Sequence, residues 1–224
     1  MSANELRAAL SSQDPYRIAR ALELPPISAS KKERITAPNK QDLIVGNMDW
    51  SPVVNAHAEA VAAGQAGDAD QCYQAQKTLH GAMNHIFASS SGNWLVPALH
   101  TVCRNTHLIA DAADHAAGKD HSRLQNAVTL LQESFSRCLN DRKEYQPGAP
   151  LSEEGSKKAG VLAIVNVLFR MYFKLNTLRL CKNLVRPVES RNLHESGLKG
   201  DMVTVRYSSH PEIHMLFHIT NTCS

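Results

Sequence analysis

The 224-residue sequence is poor in aromatic residues, at 5%, and has no long hydrophobic run. Few aromatics weigh against a sheet protein, because strands favour aromatic and β-branched side chains. The longest apolar stretch, residues 161–169, is interrupted by Asn166 and followed at once by Arg170. It falls far short of the ~20 residues that cross a bilayer. Residues 1–10 carry Glu5 and Arg7 and lack the apolar centre of a secretory signal. The five cysteines (Cys72, Cys103, Cys138, Cys181 and Cys223) are odd in number, widely spaced and never form a C-x-x-C pair. Neither a disulfide framework nor a zinc knuckle follows from them. Glycine-rich phosphate loops, G-x-S-x-G and H-E-x-x-H are all missing, so no catalytic residue and no cofactor is assigned. Lys and Arg exceed Asp and Glu by only three. That balance permits nucleic acid as a partner without arguing for it.

What the sequence does contain is helix. Hydrophobic residues make up 43%, mostly Ala and Leu, which lose little side-chain entropy in a helix. Two weak helical pieces are expected at residues 4–11 and 14–24, the second opened by Asp14-Pro15 and stopped by Pro25-Pro26. Residues 27–46 are polar, basic and proline-containing and read as a linker, making residues 1–46 a partly disordered arm. Helical signal returns at Ser51-Pro52, breaks at Gly64 and Gly67, and resumes after a cap at Asp68. Beyond the Ser-Ser-Ser-Gly loop at 89–92, Trp94, Leu95, Ala98, Leu99, Val102, Cys103, Ile109, Ala110 and Ala113 form a stripe of helical period. A helix over 121–141 follows. Ser152, Glu153 and Glu154 then predict the start of the longest helix, 153–175. Asn176-Thr177 makes a short turn to a partner helix over 178–185 that weakens at Pro187. Successive antiparallel helices with short turns predict an all-α chain built as an α-solenoid or bundle.

Eleven histidines raise the question of a metal. His107, Asp111 and His115 lie at i, i+4 and i+8 on the polar face of one helix, but no further ligand is near them in sequence. A solvated polar face is the expected reading. His80 and His85 do not share a face, and His210, His214 and His218 share a helical spacing in a region broken by Pro211. The cysteines fall on apolar faces, where Cys behaves as a small buried hydrophobe. Basic residues form a clearer pattern. Arg170 and Lys174 are one turn apart, and Arg179, Lys182 and Arg186 follow on the partner helix. Packed as a hairpin, the two helices would carry all five along one edge, where they could meet phosphates or keep the face soluble.

The run Asn166-x-Leu168-Phe169-Arg170-x-Tyr172-Phe173-Lys174-Leu175-Asn176-x-Leu178-x-Leu180-Cys181-Lys182-x-Leu184-x-Arg186 resembles the signature region of one family. This is the PCI-domain group of signalosome-subunit-twelve-like proteins, which includes the PCI subunit of the TREX-2 mRNA-export complex. Further matches stand in the same order: Tyr73, Asn93-Trp94-x-x-Pro97, Phe135-x-x-Cys138 with Asp141-Arg142, Lys157-Lys158-x-Gly160, and Val203-Thr204-x-x-Tyr207. Physically, Phe169, Tyr172 and Phe173 supply an apolar surface, Asn176 ends the helix in the left-handed region, and Leu180 and Leu184 pack back from the return helix. Ala159 departs from the bulky aromatic usual there. The resemblance implies tetratricopeptide-like helix pairs over residues 47–207, incomplete at the C-terminus before a winged helix, and an unrelated tail at 208–224. It also implies a non-catalytic scaffold in transcription-coupled mRNA export, nuclear or both nuclear and cytoplasmic. Its partners would be a large export scaffold, a small acidic companion subunit, and RNA or DNA, with no membrane and no small-molecule substrate. The alternatives are a subunit of a signalosome-like or proteasome-lid-like assembly, or a truncated product without function.

Overall fold

The structure is a computed structural model that describes residues 3–25, 27, 44–45, 48–118 and 120–193. Helices α1 (Ala3–Ser12) and α2 (Pro15–Ala21) open it. Asp14 caps α2 as expected, its carboxylate accepting the Tyr16 and Arg17 N–H groups at 2.9 and 3.1 Å. Two two-residue strands, β1 (Ile44–Val45) and β2 (Met48–Asp49), pair antiparallel and lead into the fully buried Trp50. Then come α3 (Ser51–Ala66), α4 (Ala69–Ser89), α5 (Val96–Ala116) and α6 (Ser122–Leu139). Gly67, at φ 76°, closes α3. Asp68 caps α4 by accepting the Gln71 N–H at 2.9 Å. Asp114, buried near the end of α5, caps α6 through the N–H groups of Arg123 and Leu124 at 3.1 and 2.8 Å.

The chain ends its described part with a 3₁₀ turn (Lys157–Gly160), α7 (Val161–Lys174), a second 3₁₀ turn (Leu178–Leu180) and α8 (Cys181–Ser190). Each helix from α3 onward packs on the next in sequence, and α2 packs on α5. This is the antiparallel, sequential helix stacking that the all-α solenoid reading requires. One core cluster runs from Leu6 to Leu193.

Four expectations need correction. Residues 3–22 are not a separate arm: Leu6, Leu10, Ile18 and Leu22 are buried in the common core, and Asn105 Nδ2 donates to Leu22 O at 2.9 Å. Ser152, Glu153 and Glu154 do not start a helix: the Ser152 hydroxyl does accept the Gly155 N–H, but Ser152 O accepts the Asn93 N–H at 3.0 Å, Glu153 O accepts from Lys143 Nζ, and the Lys157 N–H donates to Asp141 instead of to the helix. Helical structure begins instead after Ser156, so the longest helices among the described residues are α4 and α5, at 21 residues each. The return helix starts at Cys181 and runs through Pro187 to Ser190. The carbonyl that Pro187 leaves without a helical donor belongs to the exposed Asn183, where water can serve it. Leu180 lies in the 3₁₀ turn, 40% exposed, rather than in the hairpin core. Residues 28–43 of the linker, Val203–Tyr207, the tail, Cys223 and the three C-terminal histidines lie outside the described residues.

The α4–α5–α6 layer contains a polar seam. Gln76, His80 and Asn84 recur every fourth residue on the buried side of α4. Gln76 Nε2 donates to Thr106 Oγ1 at 3.0 Å, and Thr106 Oγ1 lies 2.9 Å from His80 Nδ1. His80 Nε2 lies 2.8 Å from Ser134 Oγ, which donates to Asn84 Oδ1 at 2.7 Å. Thr106 Oγ1 also donates to Val102 O at 2.8 Å, so its one proton serves either that carbonyl or Nδ1, and the tautomer of a neutral His80 follows that choice. Burial pushes the His80 pKa down to about 3.

Candidate interaction surface

The hairpin of α7 and α8 is built from an unusually apolar helix. Every residue of 161–169 is buried, because α7 meets α5 and α6 on one side and α8 on the other. Phe169 and Tyr172 are buried and Phe173 is half-buried. The Tyr172 hydroxyl accepts from Gln132 Nε2 at 2.8 Å, tying the hairpin to α6. Asn176 takes φ 53°, as its placement after the apolar run predicts. Its N–H donates to Phe173 O at 3.1 Å, and the Thr177 N–H donates to Tyr172 O at 2.9 Å. These two bonds form a Schellman ending that satisfies carbonyls otherwise left bare. On α8, Cys181, Leu184 and Val188 turn inward.

Residues 161–193 carry six basic side chains against one acidic, Glu189. All five singled out from sequence, Arg170, Lys174, Arg179, Lys182 and Arg186, are exposed. They are not equivalent. Lys174 forms an ion pair with Asp111 of α5, and the additional Arg191 donates to Leu139 O at the end of α6. Arg170, Arg179, Lys182 and Arg186 pair with no carboxylate among the described residues. Sequence reading missed the Lys174–Asp111 pair, and no local signal marks it, since the partners stand 63 positions apart.

That pair occupies the middle of the histidine ladder. Asp111 is engaged by Lys174, His115 is exposed at the helix end, and His107 is half-buried. Burial pushes the His107 pKa down to about 4; Asp111 acts against this, while Lys174 and Arg170 add to it. Among the described residues no three His, Cys, Asp or Glu side chains are grouped to hold a metal. His80 is committed to the seam and His85 points to solvent. Cys72, Cys103, Cys138 and Cys181 are buried. Burial raises the thiol pKa of Cys72 and Cys181 to about 11 and of Cys103 to about 12. Burial raises that of Cys138 further still. Protonated thiols of this kind are poor nucleophiles at neutral pH.

No family model and no solved structure matches the chain. It is similar to PCI domain-containing protein 2 of Xenopus laevis, 26% identical over 210 residues that cover 91% of the chain and 51% of the relative. Protein CSN12 homolog of Neurospora crassa is 30% identical over 182 residues, 68% of the chain and 37% of the relative. Enhanced ethylene response protein 5 of Arabidopsis thaliana is 28% identical over 148 residues, 64% of the chain and 33% of the relative. The chain spans about a third to a half of the length of these curated relatives. No helix among the described residues is long and apolar enough to cross a membrane.

Proposed function

We propose that this chain, a distant homologue of the family of PCI domain-containing protein 2, the CSN12 homologs and enhanced ethylene response protein 5, is a non-catalytic scaffold segment of a TREX-2-type mRNA-export complex. The carrying observation is similarity over 91% of the chain to a PCI-domain protein, joined to a stack of sequential helix pairs. Residues 47–207 are read as the helical-repeat part, and the core extends back to Leu6. Its partners are protein subunits, a large export scaffold and a small acidic companion, in the nucleus. The four hairpin cations that meet no carboxylate among the described residues, Arg170, Arg179, Lys182 and Arg186, are read as its RNA or DNA contact, with Lys174 in a supporting place.

Affinity purification of the tagged chain from nuclear extract tests the assignment. Recovery of export-scaffold subunits supports it. Recovery of signalosome or proteasome-lid subunits alone replaces it with the signalosome-like reading. Nucleic-acid contact is tested separately by changing Arg170, Arg179, Lys182 and Arg186 to Glu. Four lost phosphate contacts should remove salt-sensitive RNA binding, lowering the slope of log K against log salt by about 3. An unchanged slope places the contact elsewhere.

A further inference from the structure

Away from the hairpin the molecule carries a cleft of about 810 Å³, within the ~300–1,000 Å³ range of ligand pockets. Its walls are α2, the first turns of α5, and the 144–156 loop folded over them. Specific contacts hold that loop in place. Asn93 Oδ1 accepts the Ser152 N–H at 2.7 Å, and the Asn93 N–H donates to Ser152 O at 3.0 Å. Gly92, at φ 74°, and Gly155 make the approach possible. A Cβ on Gly92 would stand 2.1 Å from Ser152 O, and one on Gly155 would stand 2.4 Å from Asn93 Oδ1. At the far end Asp141 Oδ2 accepts the Ser156 hydroxyl at 3.1 Å and the Lys157 N–H at 2.7 Å. The cleft is therefore pre-formed, and a ligand entering it need not order the loop.

Its lining combines aromatic rings, proline walls and negative charge. Tyr16 and Tyr145 contribute rings, Pro97 and Pro150 rigid surface, and Glu144 and Glu154 two exposed carboxylates. No Lys or Arg lines it among the described residues. The lysines of the neighbouring loop are committed to main-chain carbonyls instead. Lys143 Nζ donates to Glu153 O at 2.6 Å, Lys157 Nζ to Phe87 O at 2.6 Å, and Lys158 Nζ to Lys143 O at 2.8 Å. Tyr16 is 68% exposed, a large ring left open at the rim.

We propose that this cleft binds an extended, proline-containing segment of a partner protein in which a Lys or Arg flanks the proline. Such a segment is already close to the polyproline conformation, so aromatic rings hold it at little ordering cost. The flanking cation then meets Glu144 and Glu154, a charge-assisted contact that fixes direction. A nucleic acid does not fit, because its phosphates would face the same two carboxylates with no cation on the wall. The inference is independent of the export assignment: the cleft lies on other elements, and its test uses the purified chain alone.

The probe is a fluorescein-labelled short peptide with a Pro-x-x-Pro core followed by Arg, titrated with the full chain and read by anisotropy. Saturable binding that weakens with salt is expected, and a peptide with Glu in place of the Arg should bind more weakly. The double variant E144Q/E154Q should lose roughly three- to tenfold in affinity, the range for contacts at an exposed rim. Tyr16→Ser should weaken binding at both salt concentrations alike, since it removes a ring and no charge. All three positions are exposed or at the rim, so circular dichroism of the variants should match the parent. The proposal is overturned if the parent chain shows no saturable binding, or if all these changes leave the affinity untouched.

Discussion

Lowering the pH from 7.5 to 5 should destabilise this protein through its buried histidines. His80 is enclosed between α4, α5 and α6, and burial holds its pKa at about 3. His57, buried on α3, is held at about 4, again chiefly by burial. In the unfolded chain both return to about 6.5. Between 6.5 and the folded values the unfolded state binds more protons, so stability rises with pH across that window and is lost as pH falls through it. Each such histidine costs about 1.36 kcal/mol per pH unit, hence about 2 kcal/mol at pH 5 and about 4 kcal/mol for the pair. A domain of this size has only ~5–15 kcal/mol to lose. His107, pushed down to about 4, adds in the same direction.

Urea denaturation at pH 7.5, 6 and 5 measures this directly, with the midpoint falling while the slope against urea stays constant. The variant His80→Gln can still donate and accept toward Thr106 and Ser134. It should flatten the dependence between pH 6 and 5 by about 1.36 kcal/mol per unit, whatever its own stability. In the folded protein the His80 ring resonances should not move down to pH 5. A ring titrating near 6.5, or a midpoint equal at pH 7.5 and 5, would refute the account of a neutral imidazole locked in the seam.

Three further outcomes follow from particular contacts. Gly92→Ala forces a Cβ against Ser152 O at a positive φ and should cost about 2 kcal/mol or more by chemical denaturation. Asn176→Gly should be neutral or mildly stabilising, whereas Asn176→Val at φ 53° should cost about 1–2 kcal/mol by the same measurement. Leu180→Asp should leave the thermal midpoint nearly unchanged at its 40% exposure, while Leu184→Asp, at 4%, should unfold the hairpin or lower the midpoint sharply. Equal effects at the two leucines would mean that the 3₁₀ turn at 178–180 is misplaced.

Local signals were legible in the sequence and distant ones were not. Asp14, Asp68 and Asn176 act within four residues of themselves, so their caps could be read from neighbouring residues alone. Ser152 carries the same type of cap signal as Asp68, and it failed for a definite reason. Asn93, 59 positions earlier, donates its N–H to Ser152 O, the carbonyl that would accept the first helical bond, and the Lys157 N–H goes to Asp141. Leu180 fails similarly: its apolar character fits a helix face, but the 3₁₀ turn after Asn176 rotates it outward before α8 begins. The polar seam carried a pattern, Gln76, His80 and Asn84 at four-residue steps inside an apolar stripe. Its partners Thr106 and Ser134 lie on two other helices, so their convergence needed the fold.

The Lys174–Asp111 pair ties together two sequence readings made apart. One ladder on α5, His107, Asp111 and His115, reads as a solvated polar face; another on α7, Arg170 and Lys174, reads as a basic edge for phosphates or for solubility. Packing of α7 on α5 brings them face to face. The carboxylate best placed to join a metal site is held by an ammonium, and one cation of the five is spent on it. Both partners are partly exposed, so the pair contributes at most about 1 kcal/mol to stability. Its larger effect is on the charge left over. Among the described residues, cations without a carboxylate then concentrate toward the turn and α8, at Arg179, Lys182 and Arg186, with Arg170 as the outlier on α7. A phosphate chain following that surface would run along the turn and the return helix rather than across the hairpin, so residues 178–190 should carry most of the salt dependence.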